Sequence, residues 1–207
     1  MLVHKVHTAL ERKIKKSISY LEYQQLIKKL LEENKSTSAK QSHELVRYSE
    51  QNLKNMYKLD KHLELLPELK AVLSSLTKPY TFIILTEGWC NDSAFVLPVL
   101  NKFQEINPDI YIRILLRDEN NDLMDQYLTD GGRAIPKVIV YESFKLKELG
   151  NWGPRPAECQ KLVNQLKYQE ELSYDAIMNK INDWYIQDNS RSIQKEFIDL
   201  FHQWEKM

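Results

Sequence analysis

The rhythm of apolar and polar positions changes twice along this chain, and the changes divide it in three. Up to about Thr77 the spacing is three-four. In "SYLEYQQLIKKLLEEN" the apolar residues Tyr20, Leu21, Tyr23, Leu26, Ile27, Leu30 and Leu31 follow a helical spacing, with Ser17 and Ser19 as possible caps at its start. "KSTSAKQS" is a polar break and predicts a loop. "HELVRYSEQNLKNMYKL" resumes the helical period through Leu45, Val46, Tyr48, Leu53 and Met56. After Pro67, "ELKAVLSSL" predicts a short helix with the proline in its first turn.

From Pro79 the pattern shortens. "YTFIILT" is an apolar run rich in β-formers, and "SAFVLPVLNKFQEIN" is helical with an internal proline. "DIYIRILLR" places Ile110, Ile112, Ile114 and Leu116 on one face of a strand. "NDLMDQYL" reads as a short helix with acids near its positive end. "AIPKVIVYE" is a strand that begins with a proline, and "KLKELG" is available to pair with it. This alternation predicts an α/β layer architecture with a parallel pair. From Pro156 the period is helical again, in "AECQKLVNQLKYQEE", "SYDAIMNKINDWYIQ" and "SIQKEFIDLFHQW", with Ser173 and Ser190 or Ser192 as caps. The division is a helical extension over 1–78, an α/β core over 79–166 and a second helical extension over 167–207. No Gly/Ser-rich linker joins the first extension to the core, so its helices are expected to pack on it.

Composition narrows the function classes. The 207 residues are 43% hydrophobic and 28% charged, with 29 basic and 29 acidic side chains and a formal net charge of +0. Mean hydropathy is −0.52. Such a balance argues against nucleic acid or an anionic membrane as partner. No apolar run reaches the roughly 20 residues of a membrane span, and charges interrupt "MLVHKVHTALERKIKKS" too often for a signal peptide. The two cysteines, Cys90 and Cys159, form no disulfide framework and read as thiols of a reducing cytoplasm. His4 and His7 lack a third ligand nearby, and "RDENND" lacks the glycine and distal glutamate of a calcium loop. Neither a metal nor a cofactor is expected.

Chemistry concentrates in "TEGWCNDSAF", residues 86–95, where a strand-like run gives way to a helix-like one. Cys90 stands at the junction after Trp89, and Ser93 occupies the place where a second cysteine would complete C-x-x-C. Pro98 follows eight residues after the cysteine, Ile135-Pro136 precedes a strand, and Gly150 lies near the end of the last hairpin. In this order and spacing, residues 79 to about 166 resemble the thioredoxin fold, and in particular bacterial thioredoxin-like proteins with long helical extensions. The resemblance implies a kinked active-site helix at Pro98 and a cis-proline at Pro136 facing the Cys90 sulfur. It also implies a backbone at Ile135 free to pair with a partner peptide, an aromatic substrate contact at Trp89, and Gly150 close to the thiol.

Two departures qualify the resemblance. Ser93 cannot resolve a mixed disulfide as a second thiolate would, although its hydroxyl can donate to the Cys90 thiolate. Ile84 stands where many thioredoxins carry a buried acid. A thiol at a helix N-terminus is expected to have a lowered pKa, opposed in part by Glu87 and Asp92 at the surface. Cys159 is expected to be a small buried residue, and Asp130-Gly131-Gly132-Arg133 the turn that sets up Pro136. Cys90 would then act as a single catalytic thiol with Ser93 as its supporting hydroxyl, while Trp89, Ile135 and Pro136 bind the substrate. The partner would be a protein or a low-molecular-weight thiol or disulfide. A peptide-binding module without turnover is the alternative; iron-sulfur ligation across a dimer fits the bulky "WCND" context poorly. Oligomeric state stays open.

Overall fold

The computed structural model describes residues 10–169 and 171–207. Its centre is a four-stranded sheet of β1 (Tyr80–Thr86), β2 (Ile110–Leu116), β3 (Lys137–Glu142) and β4 (Lys147–Trp152), in the order β2-β1-β3-β4. β1 and β2 are parallel, from Tyr80 opposite Ile110 to Thr86 opposite Leu116, whereas β1–β3 and β3–β4 are antiparallel. The parallel pair requires a crossover, supplied by the helix α5 (Asn91–Ile106).

β1 is buried along its whole length because both faces of the sheet are covered. Tyr80, Phe82 and Ile84 point into the larger apolar cluster, with Val138 and Val140 of β3. Ile83 and Leu85 point into a smaller one that holds Ile135, Ile139, Tyr141 and Cys90. The period-2 alternation of strand side chains thus builds two cores on one sheet.

The N-terminal segment packs on this unit. Residues 10–16 are helical (α1), and Leu10 enters the smaller cluster. Ile18 exchanges backbone hydrogen bonds with Ile114 at 3.0 and 2.8 Å, which occupies part of the free edge of β2. α2 (Tyr20–Glu32) begins with a capping box between Ser19 and Glu22 and buries Tyr20, Tyr23 and Ile27. α3 (His43–His62), capped by Ser42, lays Leu53 and Met56 against α5, and α4 (Pro67–Ser75) starts on its proline.

After the short α6 (Asn121–Met124) and the β3–β4 hairpin, the chain closes with α7 (Ala157–Leu166), α8 (Tyr174–Asp188) and α9 (Arg191–Glu205). α7 stops at Leu166, short of the periodicity in "KLVNQLKYQEE". α9 fills the larger core with Phe197, Phe201 and Trp204; Phe197 lies 6.0 Å from Phe82 and 5.3 Å from Phe103, ring centre to ring centre. Ser173 caps α8 as expected. Ser190 is the N-cap residue of α9, but its side chain makes no capping bond; Asp188 instead accepts from the Ser192 amide at 3.0 Å and the Ser192 hydroxyl at 2.5 Å. α8 runs on through Asp188, so only Asn189 and Ser190, both left-handed, make the turn. Among the described residues no helix is long and apolar enough to cross a membrane.

Candidate functional site

Cys90 is the N-cap residue of α5, and its amide donates to the Glu87 carbonyl at 3.0 Å. Its Sγ donates to the Ile135 carbonyl at 3.2 Å, and the Ile135-Pro136 peptide bond is cis. Trp89 packs at the edge of the smaller cluster under the Arg117 guanidinium, which lies 4.9 Å from its ring centre. Ser93 is buried one turn behind the sulfur, its hydroxyl 2.5 Å from that of Thr86. Cys90, Trp89 and Ile135 line one cavity, while Ser93 and Pro136 stand behind it.

The glycine beside the proline is not the expected one. A Cβ on Gly150 would meet Trp204 of α9, with Nε1 at 3.1 Å, so that residue serves hairpin–helix packing and not the thiol. A Cβ on Gly153 would come within 2.2 Å of the Pro136 carbonyl oxygen. Gly153 has φ +113 and precedes Pro154 through a second cis bond, so only glycine fits this close approach. The Gly-Pro pair in "WGPRP" was the available signal.

The electrostatics overturn two expectations. Glu87 and Asp92 are not at the surface: they are 0% and 4% exposed. Cys90 is 6% exposed, and burial pushes its thiol up to about 12, with the nearby Asp92 carboxylate acting in the same direction. Hydrogen bonds from Ser93 and the charge of Arg155 oppose the rise without reversing it. Desolvation leads because a thiolate taken out of water loses its hydration.

Each buried acid has its own partners. Asp92 accepts from Arg155 Nη2 at 2.6 Å, from Arg155 Nε at 3.1 Å and from the Tyr185 hydroxyl at 2.6 Å. Cys159, fully buried in α7, lies close enough for its thiol also to be pushed up to about 12, by burial first and then Asp92. Its side chain belongs to the larger cluster and that of Cys90 to the smaller one, and both thiols are free. Glu87 accepts from the Thr37 hydroxyl and from the Asp118 amide at 2.9 Å; burial raises it to about 7. Thr37 in turn accepts from the Gly88 amide at 2.9 Å, so the loop before α3 is fastened to the loop that carries Cys90.

The cavity over Cys90 has a volume of about 700 Å³. Its floor comes from Trp89, Cys90 and Asn91, and one wall from Arg133, Ala134 and Ile135. Sequence reasoning missed the other walls. α3 contributes Asn52, whose amide donates to the Gly88 carbonyl at 3.0 Å, and α8 contributes Met178 and Asn182. At the rim, Asp175 of α8 accepts from Arg47 at 3.1 Å and from the Tyr48 hydroxyl at 2.9 Å. Arg133 lines the cavity while its guanidinium is held by Asp125 at 2.6 Å. Among the described residues no cluster of His, Cys, Asp or Glu suits a metal ion; His4 and His7 lie outside them.

A sheet ordered β2-β1-β3-β4, with a cysteine capping the crossover helix against an X-Pro carbonyl, defines a thioredoxin-like α/β protein. A family model described as thioredoxin matches residues 38–167, and the chain belongs to that family. The match starts inside the segment set apart by sequence as the first extension, so it takes in α3 and α4. A crystal structure of a protein of unknown function from Pseudomonas aeruginosa is similar at TM-score 0.55 and 18% identity, over 84% of this chain and 93% of that one. An HIV epitope scaffold is similar at TM-score 0.52 and 19% identity, over 89% of this chain and 98% of that one. At such identities the likeness concerns the fold. No curated protein matches the chain.

Proposed function

We propose that the protein carries out thiol-disulfide exchange through Cys90 alone. The Cys90 thiol loses its proton and attacks a disulfide R–S–S–R′. The Cys90–S–S–R bond forms, the S–S bond of the substrate breaks, and R′–S⁻ leaves and takes up a proton. An external thiol then attacks the mixed disulfide and restores Cys90, since no second sulfur stands at position 93. The observation that carries this reading is the Cys90 sulfur on the floor of a cavity beside the Ile135 carbonyl and Pro136. Ser93 supplies a hydroxyl that favours the thiolate as it forms. Mass spectrometry after incubation with oxidised glutathione tests the reading: the wild type gains one adduct, on Cys90, and Cys90→Ala gains none.

The enclosed, neutral thiol favours a second reading, a ligand-binding module without turnover. Under it the wild type forms no adduct with any disulfide, and the cavity still binds its ligand after Cys90→Ala.

A further inference from the structure

The cavity over Cys90 is walled by segments that come before and after the central sheet in the chain, and this bears on what can reach the sulfur. α3 and α8 form two of its walls, and the Arg47, Tyr48 and Asp175 contacts join them at the rim. Asn52 and Thr37 fix the N-terminal part to the Cys90 loop through Gly88. Ile135 is 6% exposed and its carbonyl is engaged by Cys90 Sγ. An extended peptide pairing by strand addition needs an open backbone edge, and Ile135 offers little exposed backbone, with its carbonyl already engaged. The volume of about 700 Å³ falls in the range of small-molecule sites, roughly 300–1,000 Å³.

The polar lining points to the kind of molecule. Trp89 Nε1, Asn91 Nδ2 and Asn182 Oδ1 are shielded from solvent without a hydrogen-bond partner among the described residues, and all three residues line this cavity. Buried polar groups are satisfied in the great majority of cases, so three left over on residues of one lining are hydrogen-bonding capacity that a bound molecule could engage by small side-chain rotations. Two are donors and one is an acceptor. The charges are also mixed: Arg117, Arg133 and Lys54 stand with Glu50 and Asp175. A bare anion would use only half of this set. A molecule carrying carboxylate or amide oxygens together with amino or amide N–H groups would use all of it.

We infer that the Cys90 cavity takes a low-molecular-weight disulfide of amino-acid or short-peptide type and excludes protein disulfides. This rests on the exchange reading above and names its substrate. The test compares Cys90 adduct formation on the full chain with three probes: oxidised glutathione, bis(2-hydroxyethyl) disulfide, which lacks amide and carboxylate, and insulin. Oxidised glutathione should react about tenfold faster than the hydroxyethyl compound, the loss expected for a hydrogen bond or two, and insulin should form no adduct. Asn182→Leu should slow the glutathione reaction by a similar factor and leave the hydroxyethyl reaction unchanged, which a folding defect would not do. In parallel, Cys90→Ser should bind S-methylglutathione saturably by calorimetry. Adducts formed from all three probes at similar rates would overturn the inference and leave the exchange reading standing. Binding to Cys90→Ser with no adduct on the wild type would overturn the exchange reading and leave the cavity assignment. Neither adduct nor binding would overturn both.

Discussion

Cys90 caps α5 and Cys159 lies in the first turn of α7; both are buried, and burial pushes both thiols up to about 12, with Asp92 second among the causes for each. What separates them is their surroundings. Cys90 Sγ meets the Ile135 carbonyl and borders a cavity of about 700 Å³, whereas Cys159 is 0% exposed inside the larger core. An acid-base property alone would therefore not tell the cavity-lining thiol from the one inside the core. Access and the backbone around the sulfur do.

The comparison breaks most sharply on reactivity. With a small disulfide, Cys90→Ala should lose the adduct entirely, while Cys159→Ala should keep the wild-type rate within about twofold, since nothing reaches Cys159 in the folded state. The rate at Cys90 should rise about tenfold per pH unit between pH 7 and 10 with no plateau, because the thiolate fraction of a thiol near 12 still grows throughout that range. Quenched alkylation with mass mapping reads both sites. A plateau near pH 8 would mean that the sulfur is better solvated than its 6% exposure implies.

Next in size is the cause the two thiols share. Asp92→Asn leaves the Arg155 guanidinium buried without its counter-charge and removes the carboxylate that accepts from Tyr185. Breaking a buried pair on one side costs about 3–5 kcal/mol, to be read from urea unfolding. In the folded variant Cys90 should alkylate at lower pH than in the wild type, because Asp92 helps to hold its thiol up.

The same contrast marks how far the sequence could be read. The sheet, the crossover helix and the α3, α8 and α9 segments are legible because period-2 and three-four spacing are local properties. Trp89-Cys90 and Ile135-Pro136 are legible for the same reason. The enclosure of Cys90 is not, since its walls come from α3 and α8, which flank the core in the chain. The burial of Glu87 and Asp92 was missed because carboxylates are usually exposed unless paired. Their partners are remote: Asp118 lies 31 residues from Glu87, and Arg155 and Tyr185 lie 63 and 93 residues from Asp92. Nothing in the spacing announces such pairs. The position of Gly153 was legible in principle from its Gly-Pro pair, and the resemblance drew attention to Gly150 instead.

Glu87 gives the comparison a pH axis on the Cys90 side. Its folded value of about 7 lies above the usual 4.5, so the folded chain holds a proton that the unfolded chain releases between those values. Stability should fall as pH rises through that window, by roughly 3 kcal/mol at most. Glu87→Gln keeps an acceptor for the Asp118 amide and removes the titration. Urea unfolding at pH 4.5 and pH 8 should then show a smaller difference for the variant than for the wild type. An equal difference would mean that Glu87 is not the group responsible.

The smallest effect separates the two cysteines by sign. Ser93→Ala removes the hydroxyl 2.5 Å from that of Thr86 and one of the groups that favour the Cys90 thiolate. The lost buried hydrogen bond costs about 1 kcal/mol. In the folded state the thiolate at Cys90 becomes harder to form, so adduct formation there should slow by about threefold, less than a full pKa unit. Ser93 is not among the groups that set the Cys159 thiol, and Cys159 is reached only when the chain opens. A loss of about 1 kcal/mol raises the open population roughly fivefold, so Cys159 should alkylate faster by that factor while Cys90 slows. Following both sites in one digest at pH 9 makes each the control for the other. If the two rates moved together, Cys90 too would be reached through opening, and its place beside the cavity would count for nothing.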